Sequence, residues 1–147
     1  MWKNQLEAIK GEKKGYGEHL NKGLTEEEIF IYLENKKKLL IPKEYINFIK
    51  MMNGFEFDGC ILYGFQKNHP EDNMEKQIFD LFEYNEIWHK TLSEKTYTFL
   101  GETNVCWYVY NKETNKYNIL DMPSAYMISE CTTLDEMLDV FFNEISI

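Results

Sequence analysis

The residues with the clearest chemical potential are three cysteines and three histidines. Cys106 or Cys131 could act as a nucleophile, with His89 as its base and Asp121 as the orienting carboxylate. Neither cysteine lies in a nucleophile elbow or beside a glycine-rich turn that could stabilise an oxyanion. A cysteine inside a predicted strand is usually a small buried hydrophobic residue. We therefore expect no catalytic thiol and no enzymatic activity.

Metal ligation is the second chemistry that these residue types could support. The three histidines stand far apart, and the chain has neither a Cys-x2-Cys pair nor a His-x3-His pair. Acids such as Glu56 and Asp58 could act as cation ligands or as acid–base groups, but the acidic stretch 71–85 lacks the ligand order of an EF-hand loop. Solvated surface acids are the simpler interpretation. We expect no metal and no cofactor.

Charge is distributed unevenly along the chain. The formal net charge is -9, and all sixteen basic residues are lysines, so the chain contains no arginine. Residues 1–50 carry ten lysines and eight acids, whereas residues 51–147 carry six lysines and seventeen acids, a balance of -11. Arginine is preferred for forked recognition of phosphate and guanine, so we expect no direct nucleic-acid binding. The acidic balance fits ordinary solubility, or an acidic face directed at a basic partner.

The composition predicts one domain that spans residues 1–147. A hydrophobic fraction of 44% in 147 residues is enough for a single core, and no repeat or linker divides the chain. Within this domain we expect residues 1–24 to form a peripheral helix and a mobile loop, because glycine and lysine recur from Gly11 to Gly23. The start lacks the apolar core of a signal peptide, no apolar run could span a bilayer, and the cysteines are odd in number. We expect a cytoplasmic protein with reduced cysteines and no membrane association.

Capping signals place the helices that follow. Thr25 and Glu28 form a capping box, and so a helix begins there. Pro42 fits the first turn of the next helix, which Asn53-Gly54 ends with a left-handed glycine. The predicted buried stripe of this helix is Tyr45, Phe48, Ile49 and Met52.

A second capping box, Thr133 with Glu136, begins the closing helix. Its apolar stripe at helical spacing is Leu134, Met137, Leu138, Phe141, Phe142 and Ile145. The stretch 71–89 fits either a helix or a bent strand, and we favour a helix in its first half.

Alternating segments between these helices predict strands. The predicted strands are 60–63, 97–101, 105–110, 116–122 and 126–131, with a hairpin turn at 112–115. Trp107 and Tyr108 must point to opposite faces of the hairpin, and we expect helices to cover one face while the other stays partly exposed. The predicted fold class is α+β, with a single antiparallel or mixed sheet, N-terminal helices and a C-terminal helix packed around it.

The order of these motifs resembles the SUKH superfamily, which includes Smi/Knr-type proteins, and most closely its YrhA-like bacterial branch. The helix 40–48 (LIPKEYINF) is ended by Asn53-Gly54 and followed by 61–64 (ILYG), then by 99–103 (FLGET) and 107–110 (WYVY). A strand at Tyr117 and the helix 134–142 complete the pattern. The resemblance covers roughly residues 25–145 and rests on order and spacing, since each motif is short.

The resemblance implies an α+β fold and a role without catalysis. Many proteins of this superfamily are bacterial immunity proteins that neutralise toxin domains, and many such toxins are nucleases with basic clefts. An acidic surface would suit that partner. The alternatives are a regulatory or scaffold interaction module of the Smi/Knr type and an unrecognised enzyme.

No site residues carry over from the resemblance, so the candidate interface comes from charge and aromatic content alone. We expect an acidic surface, studded with aromatic residues, to bind a basic protein partner. The candidate partner-binding residues are Glu56, Asp58, Asp72, Glu83, Glu86 and Glu102, with Tyr108 as a possible aromatic anchor.

Overall fold

The structure is a computed structural model that describes residues 1–36, 39–66 and 78–145. Its helices are α1 (Trp2–Gly15), α2 (Glu26–Leu33), α3 (Lys43–Met51), α4 (Leu81–Leu92) and α5 (Leu134–Asn143). Its strands are β1 (Phe55–Phe57), β2 (Cys60–Leu62), β3 (Tyr97–Glu102), β4 (Cys106–Asn111), β5 (Lys116–Asp121) and β6 (Met127–Cys131). None of the helices in these ranges combines the length and apolarity that a bilayer crossing requires.

The strands form one sheet in the order β1-β2-β3-β4-β5-β6. Every neighbouring pair is antiparallel, so each strand lies beside the strand that precedes it in the chain. The α+β fold class with a single sheet and terminal helices is confirmed. The predicted strands are all present within one or two residues, whereas β1 is a strand that the sequence pattern did not predict.

Helix α5 covers one face of the sheet. Its Phe141 ring packs edge-on against Phe55 of β1 and Tyr108 of β4, with ring centroids 5.9 and 5.2 Å apart. The apolar stripe predicted for this helix is buried along its whole length, from Leu134 to Ile145.

Helix α4 covers part of the opposite face. Trp88 of α4 lies edge-on against Trp107 of β4, with ring centroids 5.1 Å apart. Trp107 and Tyr108 are consequently 2% and 1% exposed, although they point to opposite faces. The expectation that one face of the hairpin stays partly exposed is therefore wrong at its centre, because helices pack on both sides.

Helix α1 is held against α5 by its first residue. The backbone N–H of Trp2 donates to Asp139 Oδ1 at 2.7 Å, and its indole Nε1 donates to Asp135 Oδ1 at 3.0 Å. The indole stacks on Phe142 at a centroid distance of 5.7 Å. The helix continues to Gly15, so the loop predicted from Gly11 begins later than expected.

The capping predictions hold at three helix starts, with small differences. Thr25 and Glu28 form the complete reciprocal box, whereas Thr133 accepts the amide of Glu136 without the reciprocal backbone bond. Pro42 is the residue before α3 and not its first helical residue.

Two further expectations concern Gly54 and the stretch 71–89. Gly54 has a φ of +78°, as a left-handed glycine requires, and a side chain there would meet Gly64 N at 3.0 Å. In the stretch 71–89, residues 71–77 lie outside the described residues, and the helix α4 occupies the second half.

Candidate interaction surface

Helix α4 lies along the first residues of β3, on an edge where no strand of the described residues pairs with them. The short strand β2 pairs only with Gly101 and Glu102 of β3, so the start of β3 needs other partners. Asn85 supplies them: its Oδ1 accepts the Phe99 N–H at 2.7 Å, and its Nδ2 donates to the Phe99 carbonyl at 2.9 Å. His89 Nε2 donates to the Tyr97 carbonyl at 2.6 Å. These bonds fix which side chains α4 presents beside the sheet.

A chain of hydrogen bonds connects α4 to the end of β3. Trp88 Nε1 donates to Tyr63 Oη at 2.8 Å, and the Tyr63 hydroxyl donates to Glu102 Oε1. Tyr63 is fully buried, whereas Trp88 and Glu102 are half-buried. The Glu102 carboxylate is therefore held in one orientation at the boundary between core and solvent.

Tyr84 completes an aromatic wall next to this carboxylate. Its ring packs on Tyr63 at a centroid distance of 4.8 Å, one helical turn before Trp88. Desolvation raises the pKa of Tyr84 above its usual value, and the charges of Glu102 and Glu83 raise it further. The same causes, burial first and then Glu102, raise the pKa of Tyr63. Both pKa values rise because the two phenol groups lie in a partly desolvated site beside acids, and desolvation and negative charge both disfavour the phenolate.

The sheet register adds two residues to the same face. Glu56 of β1 lies opposite Ile61 of β2, and Ile61 lies opposite Glu102 of β3. Cross-strand partners share a face, so Glu56 and Glu102 flank the half-buried Ile61 at about 5 Å per strand. We name Glu56, Ile61, Tyr84, Trp88 and Glu102 the acidic–aromatic patch.

The carboxylates of this patch have no counter-ion among the described residues. The ion pairs found there join Lys50 to Glu26 and Lys116 to Glu130. Glu102 has its hydrogen bond from Tyr63, and Glu56 accepts from the Gly59 N–H at 3.2 Å. A half-buried carboxylate without a cation keeps part of its desolvation penalty, which a cationic partner would offset.

The remaining predicted interface residues lie at different places. Asp58 is exposed at the β1–β2 turn, and Glu83 is exposed on α4 next to Tyr84. Glu86 is exposed, but lies about 200° around the helix axis from Tyr84 and so faces away from the patch. Asp72 lies outside the described residues.

Tyr108 does not lie on the surface, and the prediction of an anchor there is wrong. The residue is 1% exposed, and its ring packs against Phe141 of α5 on the face opposite to the patch. The aromatic residues beside the predicted acids are Tyr63, Tyr84 and Trp88, which sequence reasoning missed. One local signal was present: Tyr84 and Trp88 are four residues apart, so they share one side of a helix.

The residues considered for thiol catalysis lie apart. Cys106 and Asp121 are cross-strand partners on the face that α5 covers, whereas His89 belongs to α4 and contacts Phe99 on the other face. Burial raises the pKa of the Cys106 and Cys131 thiols, which disfavours the nucleophilic thiolate. Among the described residues, the cysteines, histidines and acids form no cluster that could hold a metal ion.

A cleft of about 600 Å³ lies between α1 and the end of α3. Its apolar floor includes Leu6 and Met52, and its rim carries both lysines, such as Lys10 and Lys14, and acids such as Glu18. The opposed charges of the rim select neither an anionic nor a cationic ligand, so the acidic–aromatic patch is the better candidate site.

Comparison with known proteins gives no assignment: no protein-family model matches the chain, and no curated protein matches it significantly.

Proposed function

We propose that the protein is a non-catalytic protein-binding domain, and that it is an immunity protein which binds and neutralises a bacterial toxin domain. The observation that carries the proposal is the acidic–aromatic patch. Its half-buried carboxylates adjoin half-buried aromatic rings and have no counter-ion in the described part of the chain. Aromatic residues and desolvated charged groups contribute much of the binding energy in protein interfaces. The order of motifs that resembles the SUKH superfamily supports the same role.

The charge balance supports a basic partner. Residues 51–147 have a balance of -11, and the patch belongs to that part of the chain. A toxin with a basic cleft would be attracted by this field, and binding over the cleft would exclude its substrate. A protein with this role needs no active site, because covering the cleft of the toxin is enough to prevent toxicity.

The test uses the C-terminal domain that the reading frame next to this gene encodes. The domain is expressed in bacteria with or without this protein, and the affinity of the purified pair is measured by calorimetry. We expect growth arrest by the domain alone, restored growth on co-expression, and a dissociation constant in the nanomolar range or below. Equal arrest with and without the protein would contradict the proposal.

A regulatory module of the Smi/Knr type is the second outcome of this experiment. A neighbouring frame that encodes no toxic domain, combined with a growth defect on deletion of the gene, would favour that role.

A further inference from the structure

We propose that Glu102, Tyr84 and Trp88 form a subsite that receives an arginine side chain of the protein partner. The inference rests on the proposed protein-binding function and names the group that the patch recognises. Its basis is the combination of two half-buried aromatic rings with a fixed carboxylate that pairs with no cation of the described residues.

The carboxylate is prepared for a ligand that donates hydrogen bonds. The Tyr63 hydroxyl occupies one acceptor position of Glu102 Oε1, and each carboxylate oxygen has two such positions. No lysine among the described residues pairs with Glu102. Because Tyr63 is itself held by Trp88 at 2.8 Å, Glu102 loses little freedom when a ligand binds.

The aromatic neighbours favour a guanidinium group over an ammonium group. Trp88 lies edge-on against Trp107, and Tyr84 packs on Tyr63, so these rings are fixed beside the carboxylate. A guanidinium is planar, stacks on aromatic faces and binds a carboxylate with two parallel hydrogen bonds, whereas an ammonium group is a strongly hydrated point charge. The chain contains no arginine of its own, so the ligand must come from a partner.

The tryptophans provide a direct readout. The chain has three, and each gives one indole N–H signal in a ¹H–¹⁵N correlation spectrum. Trp88 lies in the subsite, Trp107 lies against Trp88, and Trp2 lies beside α5 on the other side of the sheet. The probes are the peptides acetyl-Gly-Arg-Gly-amide and acetyl-Gly-citrulline-Gly-amide, which differ by the charge of one side chain.

We expect the arginine peptide to shift the Trp88 signal with a millimolar dissociation constant at low salt, while the Trp2 signal stays in place. The citrulline peptide should bind at least tenfold more weakly. Glu102→Gln keeps an acceptor for Tyr63 and removes the charge, and it should weaken the arginine peptide about tenfold. Glu113→Gln, an exposed acid in the β4–β5 turn, is the matched control and should change nothing.

An unchanged signal from Trp2, which packs on α5 away from the subsite, verifies that each variant is folded. Equal shifts with both peptides, or equal arginine affinity in Glu102→Gln and the wild type, would overturn the subsite. A toxin domain that binds wild type and Glu102→Gln equally would also remove the subsite and leave the proposed function intact. If the arginine peptide shifts the Trp88 signal but the co-expression experiment finds no toxin domain that this protein neutralises, the subsite stands and the immunity role does not.

Discussion

At the residue scale, two buried asparagines form the backbone hydrogen bonds that a neighbouring strand would otherwise form. Asn53 donates to the Phe65 carbonyl at 3.0 Å and accepts the Phe65 N–H at 2.7 Å. Asn85 makes the same pair of bonds with Phe99. A carboxamide carries both a donor and an acceptor, so one side chain can satisfy both backbone groups of a strand residue. Asn53 has the structural position after α3 that the sequence predicts, and it also holds the backbone of Phe65 in place.

Asn85→Ala should therefore lower the free energy of unfolding by about 2 to 4 kcal/mol, because the N–H and C=O of Phe99 both lose their partner. Urea denaturation measures the change. Asn47→Ala, an exposed asparagine on α3, makes the same change of helix propensity and should stay within about 0.5 kcal/mol of the wild type. Equal stability of the two variants would contradict the role of Asn85.

Two half-buried thiols, Cys60 and Cys106, predict how stability depends on alkaline pH. Burial raises the pKa of Cys60 and Cys106, so these thiols ionise first in the unfolded state as the pH rises past the ordinary value of about 8.5. Their raised pKa has no effect on stability below that value, and the free energy of unfolding should fall above it. Urea denaturation under reducing conditions at pH 7, 8.5 and 10 measures the trend. Replacing both cysteines with serine should reduce the decline near pH 9, and an unchanged decline would contradict this assignment.

At the element scale, local signals predicted the helices and hairpins, while contacts between elements decided the rest. The Thr25 box and the alternation of 105–110 with 116–122 involve only neighbours in the sequence, and both are confirmed. The strand β1 was not predicted, because its three residues give little local signal and its place in the sheet depends on pairing with β2.

The difference between local signals and contacts between elements also explains why the candidate site was predicted only in part. Glu56 and Glu102 were predicted as interface residues from charge, but the register that places them on one face joins three strands. Tyr63 and Trp88 meet only because α4 docks at the open edge of β3. The prediction placed Tyr108 on the surface because the sequence pattern does not show that α5 covers its face of the sheet.

The packing of α5 gives the prediction at this scale. Phe142 contacts Trp2 of α1 and Phe55 of β1, with ring centroids 5.7 and 5.0 Å apart, and is fully buried. Phe142→Ala should cost roughly 3 to 5 kcal/mol, because it leaves a cavity where three elements meet. Val140→Ala, a half-buried position on the same helix, serves as the control and should cost clearly less. Thermal unfolding followed by circular dichroism compares the two, and equal losses would contradict this packing.

At the scale of the whole molecule, the -9 net charge and the local patch make separable contributions to binding. A net charge of this sign attracts any basic molecule over a distance, with a range that salt shortens to about 10 Å at 0.1 M. The patch adds carboxylates in a fixed arrangement beside aromatic rings, so it should determine where a partner docks.

A pair of variants with identical net charge distinguishes these contributions. The patch variant carries Glu56→Gln and Glu102→Gln, together with Glu83→Gln at the exposed acid next to Tyr84 of the patch. The control carries Glu12→Gln, Glu27→Gln and Glu113→Gln at exposed acids away from the patch. Association with the proposed toxin partner is measured by stopped flow across a salt series. Because steering depends on charges near the docking site, the patch variant should associate at least fivefold more slowly at low salt and show a shallower salt dependence, whereas the control should stay within about twofold of the wild type. The three rates should converge at high salt, where exposed charges are screened. Identical rates and salt slopes for the two variants would mean that the acids act only through the net charge, and hence that the patch does not direct the encounter.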